Sequence, residues 1–153
     1  MSEKILNMLG AATVLLGLKA ADKTEVITRL GQVLFQAGCV RESFVQAALD
    51  RESQLPTGLP LDGRYNAAIP HTEVEHVIKS GLALATLLEP VIFQNMIVPE
   101  EGVPVHLVIL MALDQPKSQV EMLQEIAEVL QNKETIEKLM MARDFLDVQS
   151  AFE

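Results

Sequence analysis

An almost uninterrupted apolar run at residues 103–113 constrains the fold of this chain more than any other stretch. Its one side chain that is neither apolar nor proline is that of His106. A run without the polar and apolar alternation of a half-exposed strand is typical of a strand that is buried on both faces. The run therefore predicts the long central strand of an α/β sheet.

Shorter apolar runs at residues 12–18, 81–88 and 91–94 predict further strands. The run at 12–18 also fits the continuation of a helix from Ser2, because its content of β-branched residues is modest; we interpret it as a strand. Pro90 separates the other two runs, so two strands are expected there.

Segments with helical periodicity lie between these strands. Asp22 and Glu25 have capping-box spacing, and Gly38 suits the left-handed position that follows a helix. A second helix is predicted at 42–52, a third opens near Pro116, and two short helices follow it. The apolar residues at helical spacing are Val26, Ile27, Leu30, Val33, Leu34 and Ala37 in the first helix, Phe44 and Ala48 in the second, and Val120, Leu123, Ile126, Ala127 and Leu130 in the third.

Apolar strands that alternate with amphipathic helices predict a three-layer αβα sandwich, in which a mixed β-sheet is flanked by helices. The 153 residues are the length of one ordinary domain. We therefore expect a single domain over residues 1–153. Glycine-rich phosphate loops and the Gly-x-Ser-x-Gly pattern are absent, so the usual nucleotide and hydrolase functions have no support.

The charge balance limits the partners. Lys and Arg number 12 against 21 Asp and Glu, a formal net charge of −9, which repels nucleic acid and anionic lipid. Because there is neither a run of about 20 apolar residues nor a signal peptide, we expect a cytoplasmic protein without direct membrane insertion. Cys39 is the only cysteine, which excludes an internal disulfide and a multi-cysteine metal site. No metal and no cofactor is expected.

The candidate reactive residue is His71. It follows a predicted loop at 54–65, a short apolar run at 67–69 and Pro70. Because proline lacks an N–H group and ends a strand, His71 is expected at a strand end, where α/β proteins place reactive side chains. A neutral imidazole is a good nucleophile near neutral pH. The alternative from spacing alone is a histidine that only caps a turn.

The segment Ala-Ile-Pro-His at 68–71, with Arg-Glu at 51–52 and Pro-Thr-Gly at 56–58, resembles the active-site segment of IIA components of the bacterial sugar phosphotransferase system, fructose/mannitol class. The galactitol-type branch is the most similar, and the likeness covers nearly the whole chain. In that family the histidine after Ile-Pro accepts a phosphoryl group from the phosphocarrier HPr and passes it to a cysteine of the IIB component. The resemblance thus implies a phosphotransferase whose phosphoacceptor is His71.

The resemblance also implies that Arg51 stabilises the phosphoryl group. A planar guanidinium can hold two phosphoryl oxygens at once. The alternative is a cation that only complements the helix dipole in the last turn of its helix. Glu52 and Thr72 are auxiliary candidates, the latter because Thr72 and Glu75 have the spacing of a capping box and predict a short helix at 73–79.

Two features differ from the family pattern. Many members carry Gly-Asn-Gly ahead of the active-site strand, where this chain has Arg-Tyr-Asn at 64–66. Mannitol and fructose types place a second histidine at the start of the helix after the long strand, where Lys117 and Ser118 lie here. The backbone N–H groups of that helix start can bind an anion without either side chain. His106 is expected to be a core residue, with a second active-site imidazole as the alternative.

The sequence therefore leaves two functions open. The first is a phosphocarrier for uptake of a sugar or sugar alcohol, galactitol-like, with HPr as the donor and the IIB component as the acceptor. The second is a regulatory module of the same fold, in which the phosphorylation state of His71 controls binding to a target protein. Both functions need His71.

Overall fold

The computed structural model describes residues 3–153, so Ser2 and the first residue of the predicted domain lie outside it. The helices are α1 Glu3–Met8, α2 Lys23–Gln36, α3 Phe44–Gln54, α4 Pro116–Leu130, α5 Lys133–Met141 and α6 Phe145–Ala151. The strands are β1 Val14–Leu18, β2 Gly58–Leu59, β3 Ala67–Ala68, β4 Gly81–Gln94 and β5 Gly102–Ala112. Short 3-10 turns cover Ala11–Thr13 and Val74–His76.

The strands of residues 3–153 form one mixed sheet in the order β1-β4-β5-β3-β2. The β4 and β5 strands pair antiparallel, whereas β1 with β4 and β3 with β5 are parallel. The apolar run at 103–113 thus forms the central strand, as predicted. Every β5 side chain from Leu107 to Ala112 is buried, which explains why this strand shows no polar alternation.

Helices cover both faces of the sheet, which confirms the predicted three-layer αβα sandwich. The core on one face packs α2 and α3 against residues such as Val108 and Leu110. The core on the other face packs α1, α4, α5 and α6 against Leu107, Ile109 and Met111. Alternate residues of β5 therefore feed two separate cores.

The start of α2 follows its sequence signals closely. The Asp22 side chain accepts a hydrogen bond from the Glu25 amide at 2.9 Å, and the Glu25 carboxylate accepts one from the Ala21 amide at 2.7 Å. These reciprocal bonds satisfy amides that the first helical turn cannot pair. Gly38 follows the helix with a φ of 79°, so the predicted left-handed stop is also confirmed.

The structure corrects three predicted strand boundaries. The run at 12–18 becomes a strand only from Val14. The runs at 81–88 and 91–94 form the single strand β4, whose pairing with β5 shifts register between Thr86 and Val91. Pro90 causes an irregularity there instead of a break, because the strand pairs again on both sides of it.

The predicted loop at 54–65 contains the short strand β2. Gly58 pairs with Ala68, and a Cβ at position 58 would lie 2.5 Å from the carbonyl oxygen of Gln94. Only glycine fits this close approach of two backbones. Farther on, Asn66 accepts from the Leu61 amide at 2.9 Å and donates to the Pro104 carbonyl at 3.0 Å, which holds the turn ahead of β3.

Two predicted helical features are wrong. The segment 73–79 forms only the 3-10 turn Val74–His76 and has no side-chain cap. Its second half instead pairs with the chain after α2, where Val77 bridges Val40 and the Ile78 amide donates to the Cys39 carbonyl at 2.8 Å. In α4, Val120 was expected to face the core but is 57% exposed.

Candidate active site

His71 lies where β3 has ended beside the carboxyl end of β5. It forms a parallel bridge with Met111, whose amide donates to the Pro70 carbonyl at 3.0 Å. Its side chain is buried, with 8% of the residue surface exposed. The predicted position at a strand end is therefore confirmed.

A backbone carbonyl fixes the imidazole of His71. Its Nδ1 lies 3.0 Å from the carbonyl oxygen of Ile69, which can only accept a hydrogen bond. The proton must therefore be on Nδ1, and Nε2 carries the free lone pair. Nε2 is the nitrogen that this arrangement leaves available for nucleophilic attack.

The surroundings of His71 favour its neutral form. Burial lowers its pKa below the usual 6.5, and the positive charge of Arg51 lowers it further. The hydrogen bond to Ile69 and the charge of Glu73 act in the opposite direction but do not reverse the shift. At neutral pH the ring is therefore uncharged and its Nε2 is nucleophilic.

Arg51 lies in the last turn of α3, as predicted, and its charge acts on His71. Its side chain is 29% exposed and forms an ion pair with Glu73, which comes two residues after His71. The Nε of Arg51 is buried and has no hydrogen-bond partner within residues 3–153. The guanidinium therefore has donor capacity that contacts inside the protein do not use.

Glu52 supports the segment that follows α3, and among the described residues its side chain forms no hydrogen bond with His71. Its buried carboxylate accepts from both the amide and the hydroxyl of Thr57, each at 2.8 Å. Burial raises the pKa of Glu52 despite these two bonds and the nearby charges of Lys23 and Arg51. The pair fixes the chain between Arg51 and β2, which is a structural task.

The first turn of α4 reaches the site through a residue that the sequence analysis missed. The side-chain amide of Gln119 donates to the carbonyl oxygen of Thr72 at 2.6 Å. Thr72 itself is buried, and its hydroxyl donates to the Glu73 carbonyl at 2.9 Å. Lys117 is exposed and Ser118 is half-buried. The sequence signal that could have pointed to Gln119 is its side-chain amide in the first turn of α4, the helix that follows the central strand.

His106 lies at the opposite end of the β3 and β5 pair. Its amide donates to the Asn66 carbonyl at 3.0 Å. His106 lies five residues before Met111 in β5, which at the rise of a strand separates it from the His71 end by roughly 16 Å. Its ring packs edge-on against Tyr65, with ring centroids 5.1 Å apart. Burial, and secondarily the charge of Arg64, lowers its pKa. This position gives no support to His106 as a second imidazole at His71.

Comparison with known proteins agrees with this geometry. The family model for the EIIA 2 component of the phosphoenolpyruvate-dependent sugar phosphotransferase system matches residues 7–153. The galactitol-specific EIIA component of Escherichia coli strain K12 is 32% identical over 124 residues, which are 81% of each chain.

Two solved structures are similar over almost the whole chain. The crystal structure of mannitol IIA from Escherichia coli superposes with a TM-score of 0.78 at 32% identity, covering 95% of this chain and 99% of that one. The mannitol IIA enzyme of Escherichia coli in complex with phosphorylated mannitol IIB superposes with a TM-score of 0.75 at 32% identity, covering 94% and 95%.

An αβα sandwich that superposes on mannitol IIA over almost its whole length places this chain in the class of phosphotransferase domains. The chain belongs to the EIIA 2 family of the phosphoenolpyruvate-dependent sugar phosphotransferase system. Within residues 3–153, no helix combines the length and the apolar character that crossing a membrane requires.

Proposed function

We propose that this chain is a phosphocarrier that accepts a phosphoryl group from HPr on His71 and passes it to a cysteine of a IIB component. The transport system it serves takes up a sugar or sugar alcohol of the galactitol type. The observation that carries the proposal is the anchored ring of His71, whose Nδ1–H is committed to the Ile69 carbonyl while Nε2 stays free beside Arg51.

The first transfer follows from this anchoring. The Nε2 lone pair attacks the phosphorus of the donor phosphohistidine as the P–N bond of the donor breaks and its electron pair returns to the donor ring. The proton stays on Nδ1, so the phosphorylated ring of His71 carries a positive charge that the Ile69 carbonyl stabilises. The positive charge of Arg51, which acts on His71, stabilises the equatorial oxygens of the phosphoryl group during the transfer.

In the second transfer His71 is the leaving group instead of the nucleophile. A cysteine thiolate of the acceptor attacks the phosphorus, the bond to Nε2 breaks, and the electron pair returns to the imidazole. The Escherichia coli mannitol IIA, which shares this fold, forms a complex with phosphorylated IIB, and this supports an acceptor of that kind here. In this proposal both transfers take place in the cytoplasm.

The test is reconstitution with Enzyme I, HPr and phosphoenolpyruvate, followed by intact-mass measurement and peptide mapping. We expect one acid-labile, base-stable phosphoryl group on His71. Galactitol-type IIB is then added in one reaction and mannitol-type IIB in another, and loss of the label from His71 is followed. We expect faster loss to the galactitol-type acceptor.

Two results would count against this proposal. An acid-stable adduct, or a label on another residue, would show that His71 is not the acceptor. A phosphorylated His71 that transfers to neither acceptor would instead favour the regulatory function, in which the phosphorylation state controls binding to a target protein.

A further inference from the structure

Glu73 is paired with Arg51, the cation that the proposed function assigns to the phosphoryl group. Its carboxylate forms an ion pair with Nη1 of Arg51. The same carboxylate lies close enough to influence the titration of His71. Two anions, the carboxylate of Glu73 and a phosphoryl group on Nε2, therefore have to share one guanidinium.

The remaining donors of Arg51 show how such sharing can occur. The buried Nε has no partner in the described residues, whereas Nη1 is held by Glu73. A guanidinium presents its donors in a fixed planar fork, so a second anion can bind without complete release of the first. A phosphoryl group brings a charge of about −1.5 to −2 near pH 7, and the neighbouring carboxylate repels it.

We propose that Glu73 sets the phosphoryl-transfer potential of His71 by competing for Arg51 and repelling the bound phosphoryl group. The inference rests on the proposed function and adds a positioning residue to it. In the empty state Glu73 holds the guanidinium beside the histidine. In the phosphorylated state it weakens the hold on the phosphoryl group, which favours transfer to the acceptor thiolate.

A carrier requires this kind of balance. In the proposed function His71 receives its phosphoryl group from the phosphohistidine of HPr and loses it to a thiolate of IIB. A site that binds the phosphoryl group too tightly would accept it and then retain it. An arginine without a competing anion would stabilise the loaded state more. Glu73 makes the loaded state less stable without removing the cation that assists the transfer.

Exposure limits the size of the effect. The Glu73 side chain is 52% exposed and that of Arg51 is 29% exposed, so solvent screens their interaction. Exposed and partly exposed pairs give a change of about two- to fivefold in an equilibrium constant. We expect a change of that size for phosphoryl exchange between HPr and His71.

The test compares Glu73→Gln with a matched control, Glu75→Gln. Glu75 is exposed on the same short turn, and it is its backbone carbonyl, not its carboxylate, that accepts a hydrogen bond from Nε of Arg41. The equilibrium between phospho-HPr and the phosphorylated chain is measured by quantitative phosphorus NMR. We expect Glu73→Gln to shift it about two- to fivefold towards the phosphorylated chain and to slow the transfer to IIB, whereas Glu75→Gln leaves both unchanged.

Further measurements separate positioning from a merely structural role. Glu73→Asp keeps the charge and should return the equilibrium towards the wild-type value. Proton NMR of the unphosphorylated proteins should show a lower His71 pKa in Glu73→Gln, because Glu73 raises it. In an Arg51→Lys background the effect of Glu73→Gln on the equilibrium should shrink, because the shared guanidinium is gone.

An unchanged equilibrium in a folded Glu73→Gln protein, or a shift towards unphosphorylated chain, would overturn the inference. If wild-type protein is not phosphorylated on His71 at all, the proposed function itself fails. If Glu73→Gln does not fold, Glu73→Ala takes its place in the same two measurements, since it also removes the charge. A Glu73→Ala protein with the equilibrium and the His71 titration of wild type and Glu75→Gln would overturn the inference.

Discussion

The two ends of the β3 and β5 pair each hold a histidine in partly or fully buried surroundings. Burial lowers the pKa at both His71 and His106. At the His71 end a backbone carbonyl holds Nδ1, and the charge of Arg51 acts on the ring. Nδ1 of His106 is buried and has no hydrogen-bond partner among residues 3–153, and its ring packs on Tyr65. The proposed nucleophile therefore differs from His106 in its fixed ring nitrogen and its nearby cation, and not in the direction of its pKa shift.

The largest expected effect tests this contrast directly. His71→Ala should lower the rate of phosphorylation by roughly a thousandfold or more, because it removes the proposed phosphoacceptor. His106→Ala should keep the rate within about twofold and cost about 1 kcal/mol of stability through the lost contact with Tyr65. Rapid-quench phosphorylation assays and urea unfolding measure the two effects. A stable His106→Ala protein that cannot be phosphorylated would reverse the assignment of the two ends.

The second effect concerns the cations at the two ends. Arg51→Ala should slow transfer roughly a hundredfold, the scale of losing one preorganised donor in a transition state, and Arg51→Lys should recover only part of the rate. The control is Arg64→Ala, since Arg64 stacks 5.3 Å above the Tyr65 ring at the other end. Unchanged kinetics with a lowered melting temperature for Arg51→Ala would show that Arg51 is only a helix-dipole cation.

A smaller effect is expected on the pH dependence. Because the folded pKa of His71 lies below the usual 6.5, the phosphorylation rate should stay constant as pH falls through 6.5 and decline only nearer the lowered pKa. The unfolded chain binds protons at both histidines before the folded protein does, so stability should decrease as pH falls below 6.5. Rate profiles and histidine NMR titrations test this. A rate that follows the titration of His106 would contradict the proposed site.

The smallest effects are expected at the start of α4. Gln119→Ala should slow transfer about threefold, because it removes one hydrogen bond to the residue that follows His71. Lys117→Ala and Ser118→Ala should change the rate less than Gln119→Ala does, since backbone N–H groups can bind an anion there without them. Parallel rate measurements give the ranking, and a larger loss for Lys117→Ala would place its ammonium on the phosphoryl group.

The layers of the fold could be predicted because they depend on local pattern. The unbroken apolar run of β5 reports burial on both faces, and the Asp22 and Glu25 spacing reports the start of α2. The segment 73–79 could not be predicted in the same way, because Val77 and Ile78 pair with residues almost 40 positions earlier in the chain. Tertiary pairing there prevails over a capping signal.

The principal residues of the candidate site could be proposed from the sequence, but their contacts could not. The segment around His71 and the helix end at Arg51 carry the family resemblance. The ion pair to Glu73 spans 22 residues and the hydrogen bond from Gln119 to Thr72 spans 47, so no local periodicity reports either contact. The Ile69 carbonyl gives no sequence signal, because every residue has one.

That last contact affects how this site can evolve. Nδ1 of His71 is held by the main chain of position 69, which is already fixed by its place after β3. A change of side chain at 69 leaves the carbonyl in place, so no second mutation is needed to keep the reactive nitrogen aimed outward. Surrounding side chains can then change to fit new docking partners while the backbone carbonyl keeps the orientation of the His71 ring.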